Sequence, residues 1–103
     1  MNSKLFCLAV LPALLATGEL ASSLRAATVN VNIQGFAFSP QSPTINVGDT
    51  VVWTQNDNTV HTVTSTAAPF DLSSGNLSKG ATYSHTFNSA GTFPYRCNIH
   101  TSM

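Results

Sequence analysis

The chain has 103 residues, with four Lys or Arg against four Asp or Glu, and only 8% of its residues are charged. Without a basic patch, a basic stripe or a polybasic tail, nucleic acid is not an expected partner. Electrostatic steering toward any partner is weak as well, so docking has to rely on apolar surface.

At the N-terminus, Lys4 precedes the apolar run Leu5-Phe6-Cys7-Leu8-Ala9-Val10-Leu11-Pro12-Ala13-Leu14-Leu15-Ala16, and small and polar residues follow. That order describes a secretory signal peptide. The run falls short of the roughly 18 apolar residues that a spanning helix needs. The expectation is a leader over residues 1–23 that lies outside the fold, with cleavage between 23 and 27; a retained N-terminal anchor is the alternative. Ala21-Ser22-Ser23 offers small residues for cleavage, whereas Leu24 and Arg25 fit poorly just before Thr28. Small residues are missing ahead of Cys7, so it does not sit in a lipoprotein setting. Removal of the leader leaves Cys97 as the lone cysteine of an exported domain over 28–103, a free thiol or a metal ligand. A domain this small buries only about 60% of its unfolded surface, and a bound metal would act as a staple.

After the leader, alternation dominates. Val29, Val31 and Ile33 are separated by Asn30 and Asn32, the pattern of a half-buried strand. Ile45 and Val47 repeat it before a turn at Gly48-Asp49. Thr50-Val51-Val52-Trp53-Thr54 is a β-branched and aromatic run bounded by turn residues. Strands are also expected over 60–65, 81–87 and 92–97, with an irregular stretch over 67–79. Short strands punctuated by Gly, Asn and Ser predict one all-β sandwich or barrel domain. Trp53 and the phenylalanines read as core.

The last seven residues, Cys97-Asn98-Ile99-His100-Thr101-Ser102-Met103, place a thiolate, an imidazole and a thioether in one short turn. Soft sulfur donors with imidazole suit copper, and one Cys, two His and a weak axial Met make the blue-copper set. His61 is the candidate for the missing imidazole. Zinc usually takes four strong N or S ligands, often from a second Cys or His pair, and none is present. His85 alternates with Tyr83 and Phe87 and reads as an ordinary strand residue.

Several stretches occur in one order: Phe36-Ala37-Phe38-Ser39-Pro40; Ile45-Asn46-Val47-Gly48-Asp49-Thr50-Val51-Val52-Trp53; Asn56-Asp57 leading to His61-Thr62-Val63-Thr64-Ser65; Phe70-Asp71-Leu72-Ser73-Ser74-Gly75; and Gly91-Thr92-Phe93-Pro94-Tyr95-Arg96-Cys97 with His100 and Met103. Over this region the chain resembles the cupredoxins of the plastocyanin and amicyanin type, and the short Cys-x-x-His-x-x-Met loop is similar to the amicyanin pattern. The resemblance implies a Greek-key β-sandwich holding one type 1 copper ion through His61, Cys97, His100 and Met103. It implies imidazoles bound through Nδ1, His100 as the electron port beside an apolar surface, and Met103 tuning the potential.

Three departures stand out. Ile99 replaces a common Pro and retains an N–H that could reach the Cys97 sulfur. Thr62 replaces a frequent Asn, which puts a side-chain tether between the ligand loops in doubt. Relatives continue past the axial Met with a Gly and a final strand, which is missing here. The expectation is an incomplete sequence or, if the chain is truly truncated, a neighbouring strand with unpaired backbone groups.

The function expected from these readings is a small exported electron carrier, not an enzyme, that shuttles single electrons between redox partners by Cu(I)/Cu(II) cycling. Partners would dock near His100; the carrier would be a monomer without a membrane span once mature. A copper-trafficking protein of the same fold is the alternative, and a redox-silent interaction domain is a third. The leader points to the periplasm or the extracellular space, with a thylakoid lumen as a further option.

Overall fold

The computed structural model describes residues 6–11 and 26–103. Its eight strands are β1 (Phe6–Leu11), β2 (Thr28–Ile33), β3 (Phe38–Ser39), β4 (Thr44–Asn46), β5 (Thr50–Gln55), β6 (Thr64–Ser65), β7 (Thr82–Thr86) and β8 (Gly91–Arg96). They form two four-stranded sheets, ordered β4-β1-β8-β6 and β3-β2-β5-β7. No described residue is helical, and no helix is long and apolar enough to cross a membrane. The expected all-β sandwich is what the chain builds.

Alternation decides which side chains meet between the sheets. Along β2, Val31 and Ile33 point inward; along β5, Val51, Trp53 and Gln55 do. The two strands run parallel in register from Thr28↔Thr50 to Ile33↔Gln55. From β8, Phe93 and Tyr95 enter the same core, and the Trp53 and Tyr95 rings meet edge to face at 5.5 Å. That contact is worth on the order of 1 kcal/mol beyond the area it buries. Burial raises the Tyr95 pKa to about 12. Asp49 explains the turn that it closes: its buried carboxylate accepts the amides of Ala27 at 2.8 Å and Asn46 at 3.0 Å.

Part of the N-terminal run takes a place in a sheet when it is kept. In this full chain, Phe6–Leu11 is an inner strand of its sheet. It runs parallel to β4 through Ala9↔Thr44, Val10↔Ile45 and Leu11↔Asn46, and antiparallel to β8 from Phe6↔Tyr95 to Val10↔Gly91. Leu8 and Val10 are buried in the core while Leu11 is exposed. A short apolar run reads equally as the apolar segment of a leader and as a strand buried on both flanks, and periodicity alone does not separate them. Strand Gly91–Arg96 is paired on both sides, by β1 and by β6. Most of the cleavage region lies in residues 12–25, outside the described residues.

The expected strand over 60–65 shortens to Thr64–Ser65. Ahead of it, His61 makes an isolated antiparallel bridge with Leu77. Phe38 is core, as expected, but Phe36 and Phe70 are 52% and 70% exposed and belong to no core.

Candidate metal centre

The site forms at one end of the sandwich because two ladders end there side by side. β6 pairs with β8 through Thr64↔Arg96 and Ser65↔Tyr95. Continuing that register brings Thr62 opposite Asn98, and the Asn98 amide donates to Thr62 Oγ1 at 2.9 Å. The Thr62 hydroxyl also pairs with that of Thr64 at 2.9 Å. The side-chain tether placed in doubt by the absence of Asn is thus present, made by a shorter hydroxyl.

His61 is fully buried and enters from the other segment. Its backbone exchanges hydrogen bonds with Leu77, N–H to Leu77 O at 3.1 Å and Leu77 N–H to His61 O at 2.8 Å. Its ring is fixed from behind: Nε2 lies 2.8 Å from Asp57 Oδ2. A carboxylate accepts, so Nε2 carries the proton and Nδ1 is left bare toward the site. Asp57 also accepts the amides of Gly35 at 2.7 Å and Phe36 at 2.9 Å. Desolvation acts to raise its pKa, but the Phe36 and Gly35 amides and His61 together hold it below the ordinary value.

The segment carrying Asp57 is itself pinned by Gln55, whose side chain is fully buried. Gln55 Nε2 donates to Thr59 O at 2.7 Å and Leu77 O at 3.0 Å, and its Oε1 accepts the Asp57 amide at 2.6 Å. Sequence reading missed both residues as parts of the site. A polar Gln in an inward position of β5 was the available signal.

Three of the four expected donors converge. Cys97 Sγ lies 3.7 Å from His61 Nδ1 and 3.9 Å from His100 Nδ1, and the two Nδ1 atoms are 3.2 Å apart. From those three sides, one point in the donor plane lies about 2.1 Å from every atom, close to metal–imidazole bonds of about 2.0–2.1 Å and metal–thiolate bonds of about 2.3 Å. One soft anionic donor and two imidazoles around such a point suit copper. Met103 is 2% exposed, and its amide donates to His100 O at 3.0 Å, which closes the loop. Among the described residues, His61, Cys97 and His100 are the one cluster of three that could hold a metal; His85 is outside it, edge-on to Phe87 at 4.6 Å.

The sulfur receives two amides, from Thr62 and from His100, each at 3.4 Å. The donor expected from Ile99 is therefore supplied one residue later. A side-chain acceptor bonding the N–H three residues on is the geometry of a helix N-cap, and the turn over 98–102 brings His100 round to it.

Phe36 was read as core and instead lies across the ligands. Its ring meets His61 at 5.2 Å and His100 at 4.8 Å between centroids, both edge to face. With Gly35 it forms the tip of the four-residue connection between β2 and β3, closed by the Gln34 amide donating to Ala37 O at 3.0 Å, both residues in the left-handed region at φ 64° and 56°. Such loops favour Asn-Gly or Gly-Gly, and a bulky residue there costs about 1–2 kcal/mol.

Comparison with known proteins agrees with this geometry. Residues 25–103 match the plastocyanin/azurin family of copper-binding proteins. Amicyanin from Paracoccus versutus (Thiobacillus versutus) is 28% identical with a TM-score of 0.68, the match covering 74% of each chain. A reduced amicyanin variant is 27% identical with a TM-score of 0.69, over 95% of this chain and 92% of that one. A purple cupredoxin from Nitrosopumilus maritimus is 27% identical with a TM-score of 0.64, over 71% of this chain and 90% of that one. The donor arrangement is that of one type 1 copper site, and the chain belongs to the plastocyanin/azurin family of copper-binding electron-transfer proteins.

Proposed function

We propose that the protein is an exported single-electron carrier whose one copper ion is held by His61, Cys97 and His100, with Met103 as the weak axial donor. The observation that carries this reading is the triangle of two Nδ1 atoms and one Sγ around a common point. Bound copper supplies a one-electron couple, and the protein's part is to keep the donors still while the charge changes. Asp57 and Gln55 hold His61 from one segment, and the Thr62–Asn98 tether locks that segment to the Cys97 loop. The two amides on the Cys97 sulfur withdraw charge from it, which favours the reduced ion and raises the potential.

Half-buried His100, with the exposed Ile99 beside it, is the port through which electrons enter and leave. Two basic side chains face three acidic ones from residue 28 onward, so the docking partner is a redox protein that meets this apolar surface with little charge guidance. The carrier works as a monomer and performs no catalysis. Export by residues 1–23 places it in the periplasm or outside the cell. Removal by cleavage and retention of Phe6–Leu11 as a strand are alternative fates of that segment.

Titration of the purified protein with Cu(II), followed by voltammetry, tests the reading. The carrier gives intense absorption toward the red end of the visible spectrum, as for a thiolate–Cu(II) centre, and a reversible couple. Weak colour with rapid copper loss would replace it with a trafficking role, and no uptake would reduce it to an interaction domain.

A further inference from the structure

Phe36 is the least economical residue of the site. Its backbone occupies a conformation that glycine adopts freely and that a bulky side chain disfavours, and the residue is 52% exposed. Phe38, two residues on, is core; Phe36 is absent from the core cluster, so sandwich packing does not account for it. What it does touch is both ligand imidazoles. Its amide is held by the same Asp57 oxygen that accepts the His61 Nε2 proton. Residues kept in sparsely populated conformations against local preference cluster at functional sites, where the surroundings hold them in place.

We propose that Phe36 is a positioning residue for the copper site: the left-handed hairpin tip carries its ring across His61 and His100, walling the ligand edges from water and fixing the two imidazoles relative to each other. This rests on reading the centre as a copper site. Asp57 makes the wall and the ligand one unit, because a single carboxylate orients the His61 ring and the loop that presents Phe36. Excluding water from the imidazole edges also lowers the local dielectric, which disfavours the more highly charged oxidised ion.

The test uses the full chain with Phe36→Gly, Phe36→Asn and Phe36→Leu. Glycine and asparagine suit the left-handed loop, so both apo-proteins should melt at or above the wild-type temperature. In the same apo samples, the Phe36 contribution to the ring-current shifts of the His61 and His100 ring protons should vanish, leaving the one the two imidazoles make to each other. Once loaded, both variants should lose copper to a chelator about 10-fold faster than wild type, with greater relaxation of water protons by Cu(II). Phe36→Leu keeps an apolar wall and should hold copper nearly as well as wild type without any gain in melting temperature. A Phe36→Gly protein that melts well below wild type would make Phe36 an ordinary structural contact and overturn the proposal. Wild-type rates of copper loss and water relaxation in Phe36→Gly would overturn it as well. If the wild type takes up no copper, the copper reading fails, while apo melting and ring-current shifts still decide whether Phe36 is held on the imidazoles.

Discussion

At the residue scale, the site depends on polar side chains that never touch the metal position. Asp57 gathers three donors, the Gly35 and Phe36 amides and His61 Nε2. Asp57→Ala should weaken copper binding about 10–100-fold, the usual cost of removing the partner that orients a ligating His, measured by competition with a chelator. An unchanged affinity would show that the ring is held by packing alone. The same carboxylate carries a pH dependence. Its folded pKa is lowered, so its contribution to apo-protein stability is present above the unfolded value of 3.8 and is lost as pH falls through the folded value. Apo wild type should therefore lose stability more steeply below pH 3.8 than Asp57→Asn, read from urea midpoints across that range. Thr62 supplies a second case. Thr62→Val keeps the shape but strands the Asn98 amide, at a cost of about 1 kcal/mol, whereas Thr62→Ser keeps the acceptor and should stay near wild type.

At the element scale, some features were legible in the sequence and others were not, for physical reasons. The alternation in Val29–Val31–Ile33 and the β-branched run of β5 announced strands because each buries one face. The donors Cys97, His100 and His61 were legible because thiolate and imidazole are rare in this chain and their chemistry is narrow. Phe36 was not, since its role comes from a left-handed loop that places the ring outside the core. Nor was the donor to the sulfur: spacing favoured Ile99, while the turn delivers His100. Ile99→Pro then acts indirectly. Proline at 99 pushes Asn98 toward an extended backbone and weakens the turn that brings the His100 amide to sulfur, so the reduction potential should fall; a potential equal to or above wild type would contradict this. Strand β1 was not legible either, because a short apolar run fits a leader as well as a strand. In a chain that keeps residues 6–11, Leu8→Ala should cost about 3 kcal/mol, as for a buried leucine truncated in a packed core, while exposed Leu11→Ala should cost almost nothing. Equal and negligible effects would mean that the segment leaves the sheet in solution.

At the scale of the whole molecule, the metal position ties together parts of the chain that lie far apart in sequence. His61 and Cys97 are 36 residues apart, and β5, the 55–61 segment and the β8 tail all converge at one end of the sandwich. The donors are held by protein contacts, the Asp57 and Gln55 bonds on one side and the Thr62 tether on the other. The triangle is thus set by the fold, and copper binds the native state far better than the unfolded chain. Ligand linkage then fixes the size of the effect. With free copper at 1,000 times its dissociation constant, the native state gains about 4 kcal/mol. For a domain of this size that corresponds to a rise in melting temperature on the order of 15–30 °C. Calorimetry of the apo and loaded protein should show a cooperative apo transition that moves upward with copper. In His61→Gly, which lacks one corner of the triangle, the upward shift should be small. An apo-protein without a cooperative transition would mean that the metal builds the site; an equal shift in His61→Gly would move copper away from this triangle.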